Sequence, residues 1–320
     1  LVWHSGITKT KKKQIWLSAL NGSAGVVVGA RSALMLPISN LGLIIVDEEH
    51  EPAFKQEEGV RYNARDMAIY KAIRSSAPIV LASATPSLET FHNMKIGKYI
   101  HLTLPKRATG AALPDIKLID LKVNTPERGR WISSVLINEI KSKLDNREQS
   151  LLFLNRRGYA PLTICNSCGN KIKCVNCDTW LVEHRSQDIL VCHHCGYTKR
   201  ISNTCSICGV EGQIKACGPG VERIEEEIKQ LFPEAKLTVL SSDTMKSQKT
   251  LIKTLENIKN NKVDIIIGTQ MIAKGHDFPD LKLVGIIDSD IGLSGGDLRA
   301  SERSFQLLQQ VSGRSGRHSI

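Results

Sequence analysis

From Cys165 to Cys208 the chain reads CNSCGNKIKCVNCDTWLVEHRSQDILVCHHCGYTKRISNTCSIC, four Cys-x-x-Cys knuckles in one short stretch. The pairs are Cys165-Cys168, Cys174-Cys177, Cys192-Cys195 and Cys205-Cys208. All nine cysteines of the chain fall between Cys165 and Cys217, and such clustering in close pairs argues for metal rather than disulfides. Each knuckle presents two thiolates to one tetrahedral ion, so eight ligands make two sites of four. Two zinc ions are the expected cofactors, and an iron–sulfur cluster is the alternative that four thiolates also suit.

Three pairings of the knuckles are possible, and spacing ranks them. Thr179 to His184, a polar break at Arg185 to Asp188, and Ile189 to Val191 read as a hairpin that returns the chain to where it left. That hairpin joins Cys174, Cys177, Cys192 and Cys195 around one ion. Cys165, Cys168, Cys205 and Cys208 then form an outer site nested around the inner one. The block has few large apolar side chains, so metal binding is expected to supply much of its folding energy, on the order of 10 kcal/mol or more per site. His184, His193 and His194 are expected as surface or supporting residues. Cys217 is expected as a buried thiol without a task.

Outward from this block the pattern is α/β. Leu151-Leu152-Phe153-Leu154 reads as a buried strand, and the helix that should follow it is delayed until Val221 to Leu231. The cysteine block, residues 163–217, is therefore an insert in a βα connection. Leu237 to Leu240, a lysine-rich helix around Lys249 to Ile258, Val263 to Ile267, Leu283 to Ile287 and a helix from about Leu298 to Val311 continue the rhythm. On the other side, Gly25-Val26-Val27-Val28-Gly29, Leu41 to Val46 and Pro78 to Ala82 are short apolar runs of the kind that fill a parallel sheet buried on both faces. Arg65 to Ile73 reads as an amphipathic helix with Met67, Ile69, Tyr70 and Ile73 apolar. The expected layout is a first α/β domain over 1–110, a linker and start of the second lobe over 111–146, and a second domain over 147–320. A cleft between two such domains, at the carboxyl ends of their strands, is where ligands are expected.

With 320 residues the chain has room for two domains and an insert. An apolar fraction of 41% belongs to a folded protein. No apolar run reaches bilayer length, and Leu1 to Gly6 lacks the pattern of a secretion signal, so a cytoplasmic protein with no membrane partner is expected, cut at its front. The net charge of +11, from 43 basic and 32 acidic residues, favours a polyanionic partner such as DNA or RNA.

Four strings end elements with residues suited to phosphate chemistry or its coupling. Val46-Asp47-Glu48-Glu49-His50 closes a strand, and adjacent carboxylates there need a cation or basic group among them. Asp47 is placed to hold Mg2+ through water, and Glu48 to activate the water that attacks a γ-phosphate. Ala82-Ser83-Ala84-Thr85-Pro86 ends a following strand with two hydroxyls. Gly268-Thr269-Gln270-Met271-Ile272-Ala273-Lys274-Gly275-His276-Asp277 suits backbone phosphate contact. Gln310-Val311-Ser312-Gly313-Arg314-Ser315-Gly316-Arg317 sets two forked cations at a helix end, where they would complete an anion site across the cleft. No Gly-x-x-x-x-Gly-Lys-Ser/Thr occurs anywhere, so a phosphate-wrapping loop is missing from these residues.

Together with HSG, VVVGARSAL, KQEEGVRYNARD, LLFLNRRGYAP and GPGVERIEEEI, these strings resemble superfamily 2 helicases, and the knuckles inserted after FLNRRGYAP narrow the resemblance to the bacterial replication-restart helicases of the primosomal protein N′ (PriA) family. The resemblance implies two RecA-like parallel-sheet domains, the first incomplete at its amino end, with the insert in the second. It implies ATP- and Mg2+-dependent 3′ to 5′ unwinding at stalled or branched forks, with single-stranded and forked DNA, primosome proteins and single-strand DNA-binding protein as partners. By the same resemblance Asp47 and Glu48 are the catalytic acids, Gln310, Arg314 and Arg317 meet the nucleotide, and Arg31, Arg61, Tyr62, Arg65, Ser83, Thr85, Thr269, Lys274 and Asp277 bind DNA or couple it to nucleotide. Residues 54–66 correspond to an aromatic-rich loop that senses DNA. Val60 stands where that loop often has Trp, which removes a stacking surface worth about 1 to 3 kcal/mol. Ser312 and Ser315 replace small alanines. A full member is over twice this length, so these residues alone are expected to bind zinc and, weakly, DNA, but neither to hydrolyse ATP nor to unwind. The rival readings are a zinc-ribbon nucleic-acid-binding module without motor activity, another zinc-bearing superfamily 2 translocase acting on RNA, and a redox enzyme built on the Cys-x-x-Cys pairs.

Overall fold

A computed structural model describes the chain except residues 57, 107–109, 111–113, 128–129, 155–161, 166, 169, 171, 178–179, 185–188, 193–194, 213, 218–219, 242–244, 246, 270–271, 273–277, 288, 291–297 and 316–320, with backbone alone at 162, 164, 182–184, 214–217 and 248. Two compact units divide it, Leu1–Leu102 and Thr103–Ile320.

The first unit contains β1 (Val2–Trp3), α1 (Lys9–Leu20), β2 (Val28–Gly29), β3 (Ile44–Val46), β4 (Lys55–Gln56), β5 (Tyr62–Asn63), α2 (Ala64–Arg74), β6 (Ile79–Leu81) and α3 (Leu88–Lys95). Its strands pair two by two: β1 with β2 and β3 with β6 in parallel, β4 with β5 as an antiparallel hairpin. The apolar runs expected to be buried on both faces are not. Val26, Val28 and Ile45 are exposed, and Val46 is the buried member of its strand. A parallel strand is buried twice only where layers cover both sides, and among the described residues α2 packs on β3 and β6. The face α2 turns inward also differs from expectation. Ala64, Ala68 and Ala72 are buried, whereas Met67, Tyr70 and Ile73 are exposed. Alanines at this spacing form a flat stripe that lets a helix lie close to its neighbour. Lys71 secures the same helix by donating to the carbonyls of Leu34 (2.7 Å) and Leu36 (2.8 Å), and burial pulls its pKa below the usual lysine value.

From Leu151 onward the second unit is built as the βα rhythm predicts, and it is preceded by a helix within 111–146, which the sequence suggested as linker and start of the lobe. α4 (Ser134–Asp145) leads into β7 (Gln149–Leu154), and after the insert come α5 (Val221–Leu231), β13 (Leu237–Leu240), α6 (Gln248–Lys259), β14 (Ile265–Gly268), β15 (Leu281–Ile287) and α7 (Ala300–Ser312). The sheet is wholly parallel, in the order β13-β14-β7-β15. Strand side chains alternate between faces, and both faces are apolar. Leu151, Phe153 and Ile266 pack with Ile258 of α6 and Val311 of α7 on one side. Leu152, Leu154, Ile265 and Ile267 pack with Leu136 and Ile140 of α4 and Ile224 and Ile228 of α5 on the other. Each such side chain is worth about 1.5 to 3 kcal/mol of transfer free energy when fully buried, so this doubly covered sheet is the stable platform of the chain.

The insert leaves and rejoins that platform at one place. β8 (Leu162–Cys165) and β12 (Ile214–Cys217) pair antiparallel, with Leu162 opposite Cys217. Between them β9 (Val182–His184), β10 (Ile189–Val191) and β11 (Thr198–Arg200) complete a five-stranded antiparallel sheet in the order β11-β10-β9-β8-β12. The expected hairpin is β9 and β10, with Ile189 opposite His184 and Val191 opposite Val182. The side chains of His184 and Cys217, and all of His193 and His194, lie outside the described residues.

Candidate metal centres and motor motifs

The hairpin brings the second knuckle to the third, and the β8–β12 pair brings the first to the fourth. Cys174, Cys177, Cys192 and Cys195 form one cluster, and Cys165, Cys168, Cys205 and Cys208 the other, each with its sulfurs within 4.8 Å of one another. A tetrahedral zinc with Zn–S near 2.3 Å requires sulfur–sulfur edges of about 3.8 Å. The observed separations are 3.7 Å for Cys165–Cys208 and Cys168–Cys205, 3.5 Å for Cys174–Cys195 and 3.4 Å for Cys177–Cys192. The donor set and its spacing therefore fit a tetrathiolate zinc site twice over.

Local backbone chemistry explains why the thiols converge. Cys192 N–H donates to the Tyr197 carbonyl and Gly196 N–H to that of Cys192. The fourth knuckle repeats the pattern, Cys205 to Val210 and Gly209 to Cys205. This turn needs a left-handed residue directly after the second cysteine. Gly196 (φ 77°) and Gly209 (φ 70°) supply it at no steric cost. The inner site is also packed, since Leu181 and Leu190 are buried beside Cys174 and Cys192, with Ile172, Tyr197 and Ile201 around them. The amides of Cys208 and Ile207 pull the Cys205 thiol down to about 6. Cys168 and Cys195 are drawn down by the amides of Asn170 and Tyr197, but desolvation and the neighbouring cysteines outweigh this and push both up to about 12. Four thiolates this close need a cation among them.

In the first unit the acid string follows β3 and the Ser-Ala-Thr string follows β6. Because β3 and β6 are parallel neighbours, both emerge at the same edge. Ala82 N–H donates to Val46 and Glu49 N–H to Ala82, 2.8 and 3.1 Å. Asp47 Oδ1 accepts the Glu48 amide at 2.9 Å, and Glu48, whose side chain is exposed, takes φ 49°. His50 Nδ1 lies 3.6 Å from Glu48 Oε2 and 2.7 Å from Ser83 Oγ. His50 thus bridges the acid turn and the hydroxyl string. Ser83 Oγ also accepts the Thr85 amide at 2.9 Å, and Thr85 is buried.

The expected DNA-sensing loop is the β4–β5 hairpin, with Gln56 opposite Tyr62 and Val60 exposed near its tip. Arg61 is exposed and Tyr62 half-buried. Arg31 Nη1 reaches the Lys55 carbonyl at the hairpin's base, 2.8 Å away. Arg65 was expected to bind DNA or couple it to nucleotide. It is buried, with Nη1 on Glu49 Oε2 (3.1 Å) and Ser87 Oγ (2.7 Å) and Nε on Asp66 Oδ1 (2.9 Å). Burial opposes its charge, but Asp66 and then Glu49 outweigh that and hold its pKa above the usual value. A guanidinium spent on internal acceptors is a scaffold group, and a DNA phosphate would have to displace them.

In the second unit Thr269 follows the carboxyl end of β14, and its amide donates to Leu240. The arginine string sits elsewhere. Ser315 Oγ donates to the carbonyl of Lys282 at 2.9 Å, which places the end of α7 beside the amino end of β15. A helix that follows a parallel strand runs back along it, so Arg314 and Thr269 lie at opposite edges of this sheet. Arg314 is buried and Gln310 half-buried. The two strings of this unit therefore lie at opposite ends of its strands. Lys274, Asp277 and Arg317 lie outside the described residues.

Two carboxylates escaped the sequence reading. Glu227 is buried on α5 and accepts the amides of Trp131 (2.9 Å) and Ile132 (3.2 Å). Its signal was available, as a glutamate interrupting the apolar stripe of Ile224, Ile228 and Leu231. Glu49 had no such signal, being one acid in a string of acids.

Residues 174–200 match the PriA DNA helicase Cys-rich region domain, and residues 201–319 the helicase conserved C-terminal domain. The replication restart protein PriA of Rickettsia conorii is 50% identical over 317 residues, covering 99% of this chain and 49% of that protein. The Haemophilus influenzae PriA is 42% identical over 316 residues (99% and 43%), and the Bacillus subtilis PriA 41% identical over 318 residues (99% and 39%). The chain spans about half or less of the length of these curated relatives. No described helix is long and apolar enough to cross a membrane. Along almost all of its length, with the cysteine block and the helicase C-terminal domain both matched, the chain is similar to the replication restart proteins PriA.

Proposed function

We propose that these residues serve an ATP-dependent 3′ to 5′ DNA helicase or translocase of the bacterial cytoplasm that acts at stalled or branched forks and starts primosome assembly. The observation that carries this reading is the acid turn after β3, where Asp47 and Glu48 share a strand edge with Ser83 and His50 links the two strings. Asp47 holds Mg2+ through water and Glu48 orients and deprotonates the water that attacks ATP. Gln310, Arg314 and Arg317 meet the nucleotide phosphates. The β4–β5 hairpin with Arg61 and Tyr62, and the strand-exit residues Arg31, Ser83, Thr85, Thr269, Lys274 and Asp277, face single-stranded or forked DNA. The separation of Thr269 from Arg314 across the sheet supports this division of labour, because one edge can follow DNA while the other meets nucleotide. The two cysteine clusters hold two Zn2+, which supply a rigid fold to the insert. Primosome proteins and single-strand DNA-binding protein are the partners.

The test has two arms. These 320 residues alone contain no phosphate-wrapping loop, so DNA-stimulated phosphate release from them is expected at background, and turnover near that of a working helicase would overturn this. In the full-length protein, Glu48→Gln is expected to keep ATP binding and abolish hydrolysis. Retained hydrolysis would remove Glu48 from its role.

A further inference from the structure

Glu49 has no part in the chemistry just proposed, yet its side chain is fully buried at the edge where that chemistry is placed. It collects four bonds from two helix starts. Ser87 N–H (2.7 Å), Ser87 Oγ (3.0 Å) and Thr90 Oγ1 (2.9 Å) donate from the beginning of α3, and Arg65 Nη1 (3.1 Å) from the beginning of α2. Its own amide is held by Ala82 at 3.1 Å. Residue 49 is thus fixed through both backbone and side chain to the segment that follows β6.

The residue before it is the opposite case. Glu48 is exposed and adopts φ 49°, a left-handed conformation that a residue with a Cβ keeps only where its surroundings over-determine it. Two bonds of the turn itself, Asp47 Oδ1 to the Glu48 amide and Glu51 N–H to the Glu48 carbonyl at 2.8 Å, close around it. Neither anchors the turn to the rest of the unit, and Glu49 does. We infer that Glu49 is the positioning residue of the acid turn: clamped by Arg65, Ser87 and Thr90, it sets where the carboxylate of Glu48 stands. A buried ion pair gives little net stability for its desolvation cost, and fixing one geometry is its best-attested use. Released from the clamp, Glu48 would relax toward right-handed φ and carry its carboxylate away from His50.

This inference rests on the reading of Asp47 and Glu48 as the hydrolytic acids, and the experiment separates the two. ATP hydrolysis is measured with single-stranded DNA in the full-length protein and in Glu49→Gln, with folding followed by circular dichroism. Glutamine keeps the shape but presents an amide to groups that all donate. The expected result is a folded variant whose kcat falls about tenfold or more while KM for ATP stays within about twofold. A loss of fold alone would also lower apparent kcat at constant KM, so the rate is taken per folded protein as circular dichroism reports it. Thr90→Val and Thr90→Ser decide the matter if Glu49→Gln does not fold. Valine removes one clamp donor and should lower kcat about threefold, whereas serine restores the hydroxyl and should restore the rate. A folded Glu49→Gln, or a Thr90→Val, with wild-type kcat overturns the positioning role and leaves the proposed function standing. A wild-type protein without DNA-stimulated hydrolysis overturns both.

Discussion

Val80 and Ile266 occupy the same kind of place in the two units, each inside a short, β-branched parallel strand. Val80 is 41% exposed and Ile266 is fully buried. Nothing in the runs Pro78 to Ala82 and Val263 to Ile267 announces this difference, because a strand's sequence specifies its readiness to be buried on two faces and not the layers that bury it. In the second unit four helices cover a four-stranded sheet. In the first, among the described residues, the strands pair two by two. The difference teaches that burial belongs to the whole unit, and it ranks the outcomes of perturbing each.

Metal removal is the largest expected effect, and it should separate the insert from the platform that carries it. The insert's core is the small cluster around Cys174, Leu181, Leu190 and Cys192, so losing two tetrathiolate sites removes on the order of 10 kcal/mol per site. Hydrogen exchange after chelation should lose protection across 162–217 and keep it in β7, β14 and β15. Acidification should do the same, since protons compete with zinc for thiolates, so zinc is retained at neutral pH and released as pH falls. A platform that melts together with the insert would break the distinction.

Next in size is the direct comparison. Ile266→Ala should cost the second unit about 2 to 5 kcal/mol, the range for emptying a packed core site. Val80→Ala should cost the first unit less than about 1 kcal/mol, since its side chain keeps much of its contact with water. Thermal or denaturant unfolding of the two variants checks this, and equal costs would mean that the exposed face of β6 is covered in solution.

Much of this was legible in the sequence, and where it failed the reasons are physical. The nested cysteine pairing followed from one hairpin, because antiparallel strands must return the chain to its starting point. From β7 onward the second unit's strands and helices followed from apolar periodicity, with α5 running from Val221 to Leu231 as read, whereas α4 was not read, because 111–146 looked like linker and the start of the lobe. The inward face of α2 was missed because alanine is a weak hydrophobic signal beside Met67, Tyr70 and Ile73, although its small side chain is what permits close packing. The partner of Arg65 was not legible, because charge alone does not show that Glu49, sixteen residues earlier in the chain, waits inside to meet it. The edge occupied by Arg314 needed three dimensions, since only the reversal of α7 against β15 carries it to the amino end of the sheet.

The smallest expected effect lies on α5, where two glutamates two positions apart repeat the contrast between buried and exposed. Glu227 is buried and takes the amides of Trp131 and Ile132, so Glu227→Leu should leave both donors unsatisfied and cost about 1 to 3 kcal/mol. Glu225 instead meets Lys229 at 2.7 Å on the solvent side. Pairs of this spacing contribute about 0.2 to 0.5 kcal/mol and are screened by salt. Lys229→Ala should therefore shift the unfolding midpoint slightly at low ionic strength and by nothing measurable at high ionic strength. The cost of Glu227→Leu should not change with salt, because its partners are neutral amides shielded from ions. If salt weakened both alike, Glu227 would be acting as a surface charge, and the start of α4 would be held by apolar packing, with Trp131, Ile132, Leu136 and Ile137 in the core.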